Sequence, residues 1–162
     1  MGKMRTLVLA ALALGSLASA QSPLPGKIYD DPGDSIRPSV TKTDVQIARR
    51  ARQILGSPTK WNRADTRVCP KDAKTFSLYC ALEKATTELS GNFEHRGAAM
   101  QEARFVIEEI GLERVRAHRL MDYNNDARTT FADIQNVLKL LEQRIVQRLQ
   151  QQDEHVSKSP DQ

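Results

Sequence analysis

The sequence predicts an all-α fold, a single compact domain of about five helices over residues 43–152. Three observations predict it. Apolar residues recur at helical spacing through that stretch, no run of alternating β-branched residues competes with them, and Gly or Pro stands where several of the periodic runs stop. The chain has 162 residues, of which about 110 belong to this domain, enough for one modest core.

The chain opens with Lys3 and Arg5, an apolar run from Leu7 to Leu17, and the triplet Ala18-Ser19-Ala20. This reads as a secretory signal peptide over residues 1–20, cleaved after Ala20. Its core of about 11 residues is too short to cross a bilayer, which takes about 20. The expectation is a secreted or periplasmic protein that starts at Gln21 and has no membrane anchor after cleavage. Residues 21–42 carry Pro23, Pro25, Gly26, Pro32, Gly33 and Pro38 among few apolar side chains, and read as a flexible leader.

The first helix sets Val45, Ala48, Ala51 and Leu55 on one face, with Thr43 or Asp44 as its cap and Gly56 then Pro58 as its stop. In the second, Leu78, Leu82, Ala85 and Leu89 share a stripe that ends at Gly91. The third runs from Gly97 to Ile110 with Met100, Ala103, Val106, Ile107 and Ile110 inward, and Gly111 stops it. A short fourth helix follows from Leu112 to Met121. In the last, Ile134, Val137, Leu138, Leu141, Ile145 and Leu149 form a wide apolar face while Gln143, Arg144, Gln147 and Arg148 point away. Leu140 and Val146, at its margins, are where a second copy would dock. Residues 153–162 are polar and read as a disordered tail.

Of the 24 basic residues two lie in the signal, leaving 22 against 20 acidic ones, a net charge near +2. The charges are interleaved and aromatic residues are scarce, so nucleic acid is not an expected partner. Arg49, Arg50, Arg52, Lys60, Arg63, Arg67, Lys71 and Lys74 make a mildly basic stretch, either a solvated face or a surface for an acidic partner. Two cysteines, Cys69 and Cys80, are an even count, and outside the cytosol they read as one disulfide. Closing so short a loop stabilises a small domain by about 2–3 kcal/mol in the chain-entropy model. The alternative is a buried thiol at Cys80 and an unrelated exposed Cys69.

Two segments carry a resemblance. Trp61-Asn62 and Cys69 are followed by Leu78-Tyr79-Cys80-Ala81-Leu82 and Ala85. Later, Tyr123-Asn124-Asn125-Asp126 leads through Arg128-Thr129 to Asp133-Ile134. Over about residues 45–149 this resembles an uncharacterised family of small helical bacterial proteins, a domain of unknown function. That family has a Trp-containing loop, a Cys-Ala-Leu helix and an aromatic-Asn-Asp turn before its last helix. The resemblance implies a helical fold and no particular activity.

The segment Asp122 to Asp133 is the one place where oxygen ligands fall at metal-loop spacing. Asp122, Asn124, Asp126, Thr130 and Asp133 occupy positions 1, 3, 5, 9 and 12 of an EF-hand-like loop, and Ca²⁺ needs six or more oxygens converging on it. Ala127 stands where the tight turn favours Gly, and Asp133 is shorter than the usual bidentate Glu. The same residues also suit a turn, an N-cap at Thr129 or Thr130, and an acid in the first turn of a helix. No H-E-x-x-H, C-x-x-C, P-loop or G-x-S-x-G occurs, and no catalytic residue is assigned. The histidines are His95, His118 and His155. His118 and Asp122 share a helical spacing, and Glu94 adjoins His95. Trp61 is the only Trp, either a core lid or an anchor for a partner. The functional expectation is a non-catalytic protein-interaction module with an unidentified protein partner. The competing expectation is a Ca²⁺- or small-ligand-binding module built on 122–133.

Overall fold

The computed structural model describes residues 32–158. The predicted signal, the first part of the predicted leader and residues 159–162 lie outside them. The five helices are α1 (Lys42–Ile54), α2 (Leu78–Ser90), α3 (Ala98–Gly111), α4 (Arg119–Asn125) and α5 (Phe131–Lys158). The described residues hold no strand, only one isolated bridge between Trp61 and Phe76.

Local chemistry sets the helix ends. Thr41 caps α1 in a reciprocal box: its side chain accepts from the Asp44 N–H, and the Asp44 carboxylate accepts from the Thr41 N–H at 2.8 Å. The cap is therefore Thr41 and not Thr43 or Asp44, because Asp44 serves as the returning partner three residues on. The other oxygen of Asp44 accepts the Ala99 N–H at 3.1 Å, which joins the starts of α1 and α3. Ser77 caps α2 through the Cys80 N–H, and Gly91 ends it at φ 79°, a left-handed conformation that favours glycine. At the end of α3 the Tyr123 ring lies so close to Gly111 that a Cβ there would collide with it.

The predicted fourth helix is displaced. Leu112–Arg114 form a 3-10 turn and α4 begins only at Arg119. One oxygen of Asp122 accepts the N–H groups of Arg116, Ala117 and His118 at 2.9, 2.7 and 2.8 Å, and this bends the chain into a turn before the helix. At the other end of the chain, α5 continues beyond Gln152 to Lys158, through the first part of the stretch read as a tail.

Helix α1 packs on α2 and α5, and α3 packs on α5 and α4. Leu55, Leu78, Leu82, Met100, Ile107, Ile134, Leu138, Leu141 and Ile145 are fully buried at the centre, each side chain worth about 1.5–3 kcal/mol of hydrophobic stabilisation. Leu89 and Ile110, read as inward, are 40% and 38% exposed because each sits in the last turn of its helix.

Helix α3 is enclosed on every side from Ala98 to Ile107. Its outer cover is the segment read as a flexible leader. Residues 32–41 lie on the domain, because their carbonyls accept from side chains that would otherwise be buried without partners. Gln101 donates to the carbonyls of Gly33 and Ile36 at 3.1 and 2.9 Å. Arg148 bridges the Pro38 carbonyl and the buried Glu102 carboxylate, and Gln152 pairs with both backbone groups of Val40.

Candidate functional site

The residues that carry the family resemblance meet at a buried amide. Asn124 is fully buried, and its Oδ1 accepts from Trp61 Nε1 at 2.8 Å and from the Leu78 N–H at 3.0 Å. Its Nδ2 donates to the Asn62 carbonyl and to Asn125 Oδ1. Asn125 in turn pairs with the backbone of Asp65, accepting its N–H at 2.7 Å and donating to its carbonyl at 2.8 Å. Arg63 donates to the carbonyls of Asp126 and Ala127. The Trp61 ring, half-buried, packs against Phe131 with centroids 6.3 Å apart. Cys69 and Cys80 are joined in a disulfide with Cα atoms 5.4 Å apart. The long irregular loop 61–77 is thus pinned to α4 at one end and to α2 at the other. Between the pins, Arg67 takes φ 59°, an uncommon conformation for a residue with a side chain, and Val68 is 70% exposed.

The residues at metal-loop spacing are each committed to a different partner. Asp122 and Asn124 lie within α4, so only residues 126–130 connect α4 to α5. Asp122 faces the turn before its helix, and Asn124 faces the Trp61 loop. Asp126 forks with Arg128 at 2.9 Å, a pairing that holds its carboxyl well below the usual range. Thr130 and Asp133 form a second reciprocal box at the start of α5, with Arg114 at 3.5 Å from Asp133. Among the described residues no group of three or more His, Cys, Asp or Glu side chains is placed to hold a metal ion.

A recess forms elsewhere, where α2, α3, the start of α4, the 3-10 turn Pro32–Ser35 and the loops carrying Arg67 and His95 converge. It is lined by Arg67, Tyr79, His95, Arg104, His118 and Arg119, together with Asp34 and the backbone leading into α4. Arg104 reaches it from the enclosed face of α3. Its Nη1 donates to the His95 carbonyl at 2.8 Å and to Gln101 Oε1 at 2.6 Å, and its Nη2 lies 2.9 Å from His95 Nε2. All three partners are uncharged. Burial, and then the neighbouring Arg119, pull Arg104 down to about 10. Burial, and then Arg104, Arg96 and Arg67, keep His95 below the ordinary histidine value, so it is neutral at pH 7.

Arg104 Nη2 lies 2.9 Å from His95 Nε2 and 3.4 Å from Nδ1, so the guanidinium nitrogen sits over the imidazole and not on one lone pair. The Tyr79 hydroxyl lies 3.2 Å from Nδ1. Burial, and then Glu83, raise the Tyr79 pKa, so the phenol stays protonated.

Of the recess residues the sequence singles out His95, His118 and Arg67. Arg104 and Arg119 carry no local signature, although Arg104 stands at i+4 from Met100 and i−3 from Ile107, a cation on an apolar face. His118 stands before Arg119 as the N-cap of α4, and its link to Asp122 is through its backbone N–H. In the basic stretch, Arg49 and Arg50 pair with Glu142 and Glu88 across α1 at 2.7 Å each.

A family model described as a family of unknown function, DUF6197, matches residues 39–144. No curated protein and no solved structure matches the chain.

Proposed function

We propose, from the premise that the chain belongs to DUF6197, a family of unknown function, that it is a secreted or periplasmic, non-catalytic protein-interaction module that presents its disulfide-clasped loop to a protein partner. The observation that carries this reading is the loop 61–77. It has no regular structure, yet it is held by the disulfide, by the Asn124 and Asn125 amides and by Arg63. Rigid scaffolds that display an irregular loop are the usual form of a recognition surface, and rigidity before binding lowers the entropy that association costs. Val68, 70% exposed beside the strained Arg67, is the apolar contact such a loop offers.

Two observations support this compartment. The first 20 residues read as an export signal, and a disulfide persists in oxidising surroundings. In the described residues no helix is long and apolar enough to cross a membrane.

The test uses the protein and its Val68→Asp variant as immobilised baits in the host's extracytoplasmic fraction. Val68 is exposed, so the variant keeps the fold, which its melting midpoint checks. A protein retained by the wild type and lost with Val68→Asp is the expected result. Identical retention by both baits overturns the assignment of the loop as the contact.

A further inference from the structure

We infer that the recess between Arg67, Tyr79, His95, Arg104 and Arg119 is a binding site for a small tetrahedral oxyanion of the phosphate or sulfate class. It is separate from the partner-binding surface proposed for Val68.

Charge is the first argument. Three arginines and one aspartate line the recess. The aspartate, Asp34, lies 3.5 Å from Arg96, and Glu108 lies 3.1 Å from Arg119. Among the described residues no carboxylate is bonded to Arg104, which is only 6% exposed, and Asp34 acts on it only through space. A buried cation bonded to neutral acceptors is costly, and an anion beside it relieves that cost.

Donor geometry is the second. Arg104 Nη1 is spent on the His95 carbonyl and Gln101 Oε1 and Nη2 faces the His95 ring, which leaves the Nε hydrogen. The protonated Tyr79 hydroxyl lines the same recess as a further donor. Arg67 and Arg119 bring guanidinium charge from two further segments of the chain. Donors from several directions suit an oxyanion with acceptors on all sides.

Size is the third. The space measures about 50 Å³, several times the roughly 10–15 Å³ that one water needs and far below the about 300–1,000 Å³ of a pocket for a drug-sized molecule. It holds one small ion, or one anionic head group whose remainder stays in solvent.

The uncommon φ of Arg67 fits the same role. The loop turns there so that Arg67 lines the recess while Val68 faces outward. The Arg67 N–H is held by Asp65 Oδ1 at 2.7 Å, which fixes that turn.

The experiment is a titration of the ¹⁵N-labelled protein with inorganic phosphate, inorganic sulfate and a phosphomonoester, each against sodium chloride at equal ionic strength. Saturable shifts confined to the amides of Arg67, Tyr79, His95, Arg104 and His118 are expected with phosphate or sulfate. If the phosphomonoester gives the same shifts with equal or higher affinity, the site takes a head group; if only the inorganic ions do, it takes the free ion. Arg67→Gln, at an exposed position that leaves the fold intact, should weaken binding about tenfold, the worth of one charge-assisted bond. Arg104→Lys should weaken it further. Shifts that chloride reproduces, or an affinity unchanged in Arg67→Gln, overturn the site. No partner protein takes part, so a negative titration leaves the loop assignment standing, and a failed capture leaves the oxyanion site standing.

Discussion

Replacing Asn124 with leucine removes four hydrogen bonds at one fully buried point. Leucine is close in volume, so the cavity contribution is small and the loss is polar. Trp61 Nε1, the Leu78 N–H and the Asn62 carbonyl are left inside the protein with nothing to bond. Each orphaned group costs about 1–3 kcal/mol, and with partial relaxation of the loop the total is about 3–5 kcal/mol, a large part of the about 5–15 kcal/mol that a domain has. Urea unfolding followed at once by far-ultraviolet circular dichroism and by tryptophan fluorescence measures it. Trp61 is the only Trp in the chain, so its emission reports on the altered point itself. A drop in the midpoint at constant m, with Trp61 emission shifted to the red in the folded state, is expected. A loss below about 1 kcal/mol with unchanged emission would refute the claim that this amide holds the loop.

Cys69→Ser with Cys80→Ser should lower stability by about 2–3 kcal/mol in urea titration, from the loop entropy released to the unfolded chain; equal stability would show that the clasp constrains nothing. For Asp122, burial acts to raise the pKa, but the backbone N–H groups of residues 116–118 outweigh it and hold the folded value below the usual one. Its contribution is therefore present above the unfolded pKa of about 3.9 and is lost as pH falls through the folded pKa. Asp122→Asn should melt lower at pH 7, by the equivalent of about 1 kcal/mol, with the gap closing in acid; a gap constant with pH would refute the assignment. Millimolar Ca²⁺ against EDTA should leave the melting midpoint unchanged, since Asp122, Asn124, Asp126 and Asp133 are each engaged elsewhere. A rise in the midpoint would contradict that geometry.

The helical class and most of the core were legible because periodicity is a local property. Ala48, Ala51, Leu78, Leu82, Val106, Ile134 and Ile145 are buried as their spacing implies. The cover on α3 was not legible. Gln101, Glu102 and Arg104 look like a solvent face, and they are buried because a proline-rich segment covers them: it supplies the carbonyls that Gln101 and Arg148 need, Arg148 in turn holds Glu102, and Arg104 finds the His95 carbonyl. That segment reads as flexible for the same reason, since its stabilising groups are backbone acceptors and composition does not record them. Asn124 and Asp122 carry the right atoms for a metal loop in a row, but direction decides their use. One turns toward Trp61 and the other toward the N–H groups before α4. The recess was half legible: His95 and His118 stood out, while Arg104 became informative only once its neutral partners were in view.

The central claim, an extracytoplasmic module clasped between Cys69 and Cys80, is tested most directly by the intact mass of the protein recovered from its own host with free thiols alkylated on lysis. The account predicts a chain that begins at Gln21 and takes up no alkylating agent. A chain retaining residues 1–20, found in the cytosol with Cys69 and Cys80 both alkylated, would contradict it.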